Sequence, residues 1–537
     1  MGSPPDSYTP TDEKLADFKV DVSHHDNEHD IRHIMETSDI PRWSKSSIQL
    51  YVAIFCACCC AFANGYDGSL MTAIEAMPHF QKTFGVGTTG PIISVIFSMY
   101  TVGSMLFAPV GAVVSDRYGR RVCMAAGAAT VILGMVVMAP SKHIAQFIVG
   151  RFILGAGIAM CVVAAPAYSM EIAPPQWRGR ATGIYNCGWF GGSIPASLIC
   201  FGTNYIDSNM SWRIPVILQA ALALLVIILA PFIPESPRFL MAQGREEEAR
   251  EFLIKYHGNG NPDSALVNFE IKEMKASIDL DGIDKRWWDY RPLFLSRGGR
   301  WRMSQVLMIS IFGQFSGNGL GYFNTVIFSN IGVKSVPQQL GYNVLNQAIS
   351  ATCALTAATL TDRMPRRFIL PLGTLLCAVF LGINSGLSAV LDNQTKKDSA
   401  NISKAVGQGA LAAYFLFNCI FSFTYTPLQG VVPVESLTTT MRAKGLALSG
   451  FMVSGIGFIN LFAGPIGLHN LGYKYIYVFV GWDVFEAIMW YFFAVESCGR
   501  TLEELDWIYE QPNPVRASKD VAAGRKKIVV QDGGFTA

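Results

Sequence analysis

The sequence predicts an all-α membrane protein, with twelve transmembrane helices arranged as two six-helix bundles. Three observations lead there. Hydrophobic residues make up 51% of the 537 and charged residues 15%, against roughly a quarter charged in soluble domains. Twelve stretches are apolar over the ~20 residues that a ~30 Å hydrocarbon core requires. Charged motifs that follow the second, fourth and sixth stretches recur after the eighth, tenth and twelfth. With 42 basic and 40 acidic residues the net charge is only +2. No nucleic-acid partner is expected from that balance; the expected surroundings are a lipid bilayer.

Residues 1–47 form a polar tail with no basic n-region, short apolar core and small-residue cleavage site, so no cleaved signal peptide is read. A disordered cytosolic segment is expected there. Four of the eight histidines, His24, His25, His29 and His33, lie in it with nothing to order them, and no metal site is expected. Spans begin near residues 48, 90, 122, 144, 181 and 214, giving a first bundle over 48–233. A polar linker over 234–302 carries short amphipathic patterns such as Arg245 to Tyr256. Spans near 303, 341, 367, 407, 443 and 472 give a second bundle over 303–493, and 494–537 is a second cytosolic tail. Eleven of the twelve cysteines sit in apolar stretches, Cys498 being the exception. They read as small apolar side chains, not as zinc ligands or disulfides.

Charge and glycosylation triplets orient the chain with both termini inside. The short loops after spans 2, 4, 8 and 10 carry ten Lys/Arg and the linker twelve, against eight on the opposite side. Asn209-Met-Ser, Asn393-Gln-Thr and Asn401-Ile-Ser all fall in the opposite loops, so Asn209, Asn393 and Asn401 are candidate glycosylation sites.

The internal repeat carries the architecture. Asp116-Arg-Tyr-Gly-Arg-Arg121 recurs as Asp362-Arg-Met-Pro-Arg-Arg367, an offset of 246. Glu171 and Arg178 recur as Glu435 and Arg442, an offset of 264, and Pro-Glu235-Ser-Pro-Arg238 is echoed by Val-Glu496-Ser-Cys-Gly-Arg500. Two related bundles with a substrate site at their interface is the sequence mark of a secondary transporter. No nucleophile–base pair or phosphate loop is visible, so an enzyme is not expected and no cofactor is implied.

On these motifs, together with GQFSGNG, PVESLTTTMRAKG and VESCGRTLEEL in order and spacing, the chain resembles the sugar porter branch of the major facilitator superfamily. Its NGYDGSLM, FGQFSGNG, YTPLQG and GWDVFE segments are most similar to lactose- and cellodextrin-type permeases of fungi. The resemblance implies a plasma-membrane transporter that takes up a sugar by alternating access, driven by a proton. A facilitative carrier of a hexose, polyol or secondary metabolite is the alternative, as is a sugar sensor. A tail of about 44 residues counts against the sensor.

The family relation assigns roles residue by residue. Asp116, Arg117, Arg120, Glu171, Arg178 and Glu235 in the first half would tie helix ends together as a gate, as would Asp362, Arg363, Glu435, Arg442 and Glu496 in the second. Exposed pairs are worth only ~0–1 kcal/mol each, so several can hold a gate and still break in every cycle. Two departures bear on gate geometry: Pro365 takes the place of a glycine, and Gly111 lies five residues before Asp116 instead of four.

Ionisable groups inside a membrane are costly and call for a functional reading. Asp67 in span 1 and Arg151 in span 4 match the family's proton-carrying aspartate and its arginine partner. Desolvation favours the neutral acid and a nearby guanidinium the ionised one, so moving Arg151 would load or release a proton. Asp483 and Glu486, three apart on one face of span 12, find no such match; a structural role and a second proton site are both open. For the sugar, hydroxyls need amides and hydroxyls as partners. Gln314, Ser316, Asn318 and Tyr322 in span 7, Asn346 in span 8 and Asn460 in span 11 are the candidates. Interhelical bonding is the commoner role of a single membrane amide. The family's span-5 glutamine and two pocket tryptophans fall on Ser193, Gly430 and Ser454. Three small side chains for three large ones suit a disaccharide or short oligosaccharide.

Overall fold

The computed structural model describes residues 43–283, 290–397, 404–498, 500, 502–522, 529–531 and 534–536. The tail histidines and Asn401 lie outside the described residues, as do the side chains of Arg178 and Asp362.

Among the described residues, twelve helices of 19 residues or more make up the two bundles. The first half holds α1 (Lys45–Ile74), α2 (Pro91–Tyr118), α3 (Arg120–Met138), α4 (Ile144–Ile172), α5 (Pro175–Thr203) and α6 (Met210–Leu229). The second holds α7 (Arg297–Phe315), α8 (Val336–Leu360), α9 (Arg366–Lys397), α10 (Lys404–Ser436), α11 (Thr439–Leu471) and α12 (Tyr475–Phe493). Their starts lie within six residues of the sequence-predicted spans, because apolar length decides them. Further helices, among them Glu246–Tyr256 and the 19-residue Ala265–Ile283, lie in the linker. The strands among the described residues are one antiparallel pair near the C-terminus, Val529–Gln531 with Gly534–Thr536.

Local chemistry sets the helix ends. Ser44 caps α1 by accepting from the Ser47 amide at 3.0 Å, and Ser296 caps α7 by accepting from Gly299 at 2.8 Å. Proline, with no amide hydrogen to waste, opens α2 and α5. The seventh span is interrupted: α7 stops at Phe315, Gly317 takes φ +94°, and the chain resumes as Asn318–Gly321 and Asn324–Asn330. A backbone break at membrane depth is tolerated where protein or a cavity surrounds it.

Eight segments of the described residues are long and apolar enough to cross a membrane, the last taking in α11 and α12 together. The three bundle helices outside that set are α5, α7 and α8. They carry polar side chains such as Ser193, Gln305, Asn346 and Gln347 that turn towards protein interior. The outer surface is apolar, with Val113, Phe368 and Phe451 more than 60% exposed. So much exposed hydrocarbon belongs against lipid. The protein is a multi-pass membrane protein.

Within the halves α1 packs on α5, α2 and α3 on α4, and α9 on α10 and α12. Between them the second helix of one half meets the fifth of the other, twice: α2 with α11, and α8 with α5. The start of α1, the linker and the end of α12 share one face of the molecule, the terminal face; the opposite one is the distal face. Hydrogen bonds between the halves cluster at the distal face. Gly90 donates its amide to the Pro465 carbonyl at 3.3 Å, Thr89 Oγ1 meets His469 Nδ1 at 3.2 Å, and Asn343 Nδ2 donates to Ser197 Oγ at 3.4 Å.

Candidate functional site

A small cavity of about 70 Å³ lies between the halves. From the first half Asn64, Asp67, Tyr100, Arg151 and Trp189 line it, and from the second Tyr322 and Leu461. That is well below the ~300–1,000 Å³ of a small-molecule site. The halves are closed on it from the distal side.

Asp67 stands about 10 Å along α1 from its distal end, at 1.5 Å per residue. Arg151 Nη1 donates to its Oδ1 at 2.5 Å, and the two side chains are 1% and 3% exposed. A second donor arrives from α6, where Gln219 Nε2 reaches the same oxygen at 3.1 Å. Tyr100 of α2 lays its ring 5.0 Å from the Arg151 guanidinium and donates its hydroxyl to Asn64 Oδ1 at 2.9 Å. A cation over an aromatic face gains most where water is excluded. Arg151 Nε finds no partner. One acid and one base thus meet in a water-poor crevice, and four helices of one half hold them.

The amide candidates bind one another. Asn318 Nδ2 donates to Gln314 Oε1 at 3.0 Å, and Asn460 Nδ2 to the Gln314 carbonyl at 2.8 Å. They brace the break in the seventh span. Ser316 turns the other way, donating its hydroxyl to Glu486. Asn346 is buried on α8 with its Oδ1 unpartnered. Sequence reasoning missed Gln219, Tyr100 and Asn64. A lone glutamine in the otherwise apolar stretch 214–229 of α6 was the available signal; Tyr100 gave none.

At the terminal face the two halves repeat one device. Arg120 Nε donates to Glu171 Oε2 at 3.1 Å and its Nη1 to Asp116 Oδ1 at 3.2 Å. Ser236 bonds the same Glu171. In the second half Arg366 Nη2 donates to Glu435 Oε1 at 2.7 Å, and Ser497 Oγ to Glu435 Oε2 at 2.6 Å. Glu235 accepts the Ser236 amide at 3.0 Å and stands 3.5 Å from that of Arg121; burial pushes its carboxyl above the usual range. Glu496 accepts the amides of Arg366 and Arg367 at 3.0 and 3.1 Å. A carboxylate at the first turn of a helix also answers the positive end of its dipole. Gly119, at φ +101°, lets Glu235 approach, since a Cβ there would stand 2.4 Å from its carboxylate; in the second half Pro365 and a 3₁₀ turn, Thr361–Arg363, reach the same end by another path. Arg117 and Arg363 are exposed. Arg442 leaves its Nε unpartnered, and burial lowers its pKa.

Asn209 and Asn393 are exposed at the distal face. Asn209 accepts from Thr83 Oγ1 at 2.9 Å, and Asn393 lies within the last turns of α9.

Residues 53–509 match the family model described as sugar (and other) transporter. The chain belongs to the sugar transporter family. This sugar transporter family member is 25% identical to the MFS-type transporter criB of Aspergillus cristatus, over 85% of this chain and 92% of that protein. It is 26% identical to the high-affinity glucose transporter of Kluyveromyces lactis, over 86% of each, and 26% identical to the quinate permease of Neurospora terricola, over 85% and 88%. Its fold matches the partially occluded inward open conformation of the xylose transporter XylE from E. coli with a TM-score of 0.68. That match is at 19% identity and covers 85% of this chain and 100% of that one. The major facilitator fold is therefore shared, and the family is one of transporters, not enzymes.

Proposed function

We propose that the protein takes up a sugar by alternating access, coupled to a proton carried at Asp67 with Arg151 as its counter-charge. The observation that carries this is the Asp67–Arg151 pair, buried at 2.5 Å on a cavity lined from both halves. Rocking the halves changes the water that reaches the cavity and the second-half wall, Tyr322 and Leu461, that covers it. A carboxylate that loses its guanidinium in a dry site takes a proton, and one that regains it lets the proton go. The terminal face is read as cytosolic and the membrane as the plasma membrane. The repeated Arg–Glu–Ser devices at that face keep each bundle rigid, so that the halves move as bodies.

Gln314, Asn318 and Asn460 are proposed to exchange their mutual bonds for sugar hydroxyls, with Tyr322 closing the distal side and Asn346 supplying an unpartnered acceptor. Ser193, Gly430 and Ser454 leave room where the family carries larger side chains, and Gly430 stands opposite Asn186 of the other half. A disaccharide or short oligosaccharide is the proposed cargo. The K. lactis relative is named a glucose transporter and one solved relative a proton:xylose symporter, which supports sugar and proton. A quinate permease among the relatives favours a second reading, a carrier of a cyclic polyol acid.

Asp67→Asn tests the coupling: uphill uptake is lost while exchange persists. Unchanged accumulation rejects it. Competition settles the cargo; glucose outcompeting every disaccharide rejects the larger sugar, and quinate outcompeting all sugars favours the second reading.

A further inference from the structure

Two carboxyl groups deep in the second half play no part in the site above. Asp483 and Glu486 lie one turn apart near the middle of α12, and neither has any exposed surface. Residues 303–333, 335–360, 368–391, 405–434, 445–468 and 475–493 make up the second half's spans, and they contain no Lys, Arg or His. Asp483 and Glu486 are the only Asp or Glu in them. Two acids therefore stand in hydrocarbon with no base at membrane depth in the helices packed around them, whose Lys and Arg lie only at the helix ends.

Their neighbours are neutral. Ser316, at the break in the seventh span, donates to Glu486 Oε2. Tyr425 of α10 places its hydroxyl 3.4 Å from the same oxygen. That hydroxyl also meets Thr374 Oγ1 of α9 at 2.7 Å and accepts from Trp490 Nε1 at 3.2 Å. The titratable groups that face the pair are the Cys377 thiol from α9 and the Tyr425 phenol. Both Asp483 oxygens and Glu486 Oε1 lack a hydrogen bond of good geometry, and the Trp482 indole is a further neutral donor beside Glu486.

We infer that Asp483 and Glu486 form a second proton-binding site, distinct from Asp67, which holds at least one proton in this arrangement of the halves. An ionised carboxylate in such surroundings would lack both a counter-charge and enough donors, and two of them a turn apart would repel. One proton removes the repulsion and neutralises one acid, and a second neutralises the other. Ser316 lies between Gln314 and Asn318, so the protonation of Glu486 is linked to the break that carries the proposed sugar amides. Movement of that break admits water and lets the proton leave. The site does not rest on the role proposed for Asp67.

Infrared difference spectroscopy on the full-length protein in lipid nanodiscs reads protonated carboxyl groups directly. Asp483→Asn/Glu486→Gln at neutral pH is expected to lose a carboxylic-acid C=O band that wild type and Asp67→Asn retain. An unchanged band in the double variant overturns the site. Should the double variant fail to run as a monodisperse peak, Glu486→Gln alone serves, with loss or shift of the same band expected and an unaltered band overturning the proposal. Failure of Asp67→Asn to abolish uphill uptake leaves this result untouched, so the two readings fail separately.

Discussion

Thr325 of the second half donates its hydroxyl to Glu75 of the first, Oγ1 to Oε1 at 2.9 Å, and to the Thr72 carbonyl at 3.2 Å. Glu75 follows α1 directly, is fully buried, and leaves its other oxygen without a partner. Burial raises its carboxyl well above the ordinary 4.5, against a smaller opposing effect of the Thr325 bond. When the distal face opens, water reaches the group and its pKa returns towards normal. The closed form therefore binds more protons. Its advantage is full below about pH 4.5 and is lost as pH rises through the raised value. Spin labels on distal loops will report a closed fraction that falls with rising pH, and Glu75→Gln will flatten that curve. A wild-type slope that survives in Glu75→Gln refutes the assignment.

Breaking the Asp67–Arg151 pair from either side leaves a buried charge unpaired, which costs about 3–5 kcal/mol. Arg151→Met and Asp67→Asn will each lower the melting temperature in detergent. The double variant will recover much of the loss, because both charges are gone, and will still not drive uphill uptake.

The matched devices at the terminal face differ in burial, and that decides their worth. Arg366 is 3% exposed and donates to Glu435 and to the Thr361 and Met364 carbonyls, whereas Arg120 is 16% exposed. Each hydrogen bond to a charged group is worth about 1.5–3 kcal/mol when buried, and screening by water reduces it. Arg366→Ala is expected to destabilise by clearly more than Arg120→Ala, measured as the shift in thermal aggregation temperature. Equal shifts contradict it.

A glycine holds the site together from α4. A Cβ on Gly155 would stand 2.1 Å from the Tyr100 carbonyl, while one on Gly183 of α5 would meet nothing within 4 Å. Gly155→Ala will push α2 away and with it the ring over Arg151, at a cost of about 1–3 kcal/mol. Gly183→Ala will be silent in both melting temperature and uptake.

Spans, linker and repeat were legible in the order of residues because they follow from transfer of apolar side chains into hydrocarbon, which each stretch decides alone. The pairing of Asp67 with Arg151 was legible through the resemblance to sugar porters, which matches both positions; charge alone did not give it, since Asp483 and Glu486 in span 12 find no base. Which partner each polar group takes is another matter. Gln219 reaches Asp67 across 152 positions, and Ser316 turns from the amides beside it to Glu486, 170 positions on. Such choices depend on how helices cross and on a break at Gly317 that rotates one short segment against the next. Periodicity within a helix names its faces but not what stands opposite. Only the packed bundles bring Tyr322 and Leu461 over a cavity built by the other half, and only they leave two acids on α12 with nothing basic to meet.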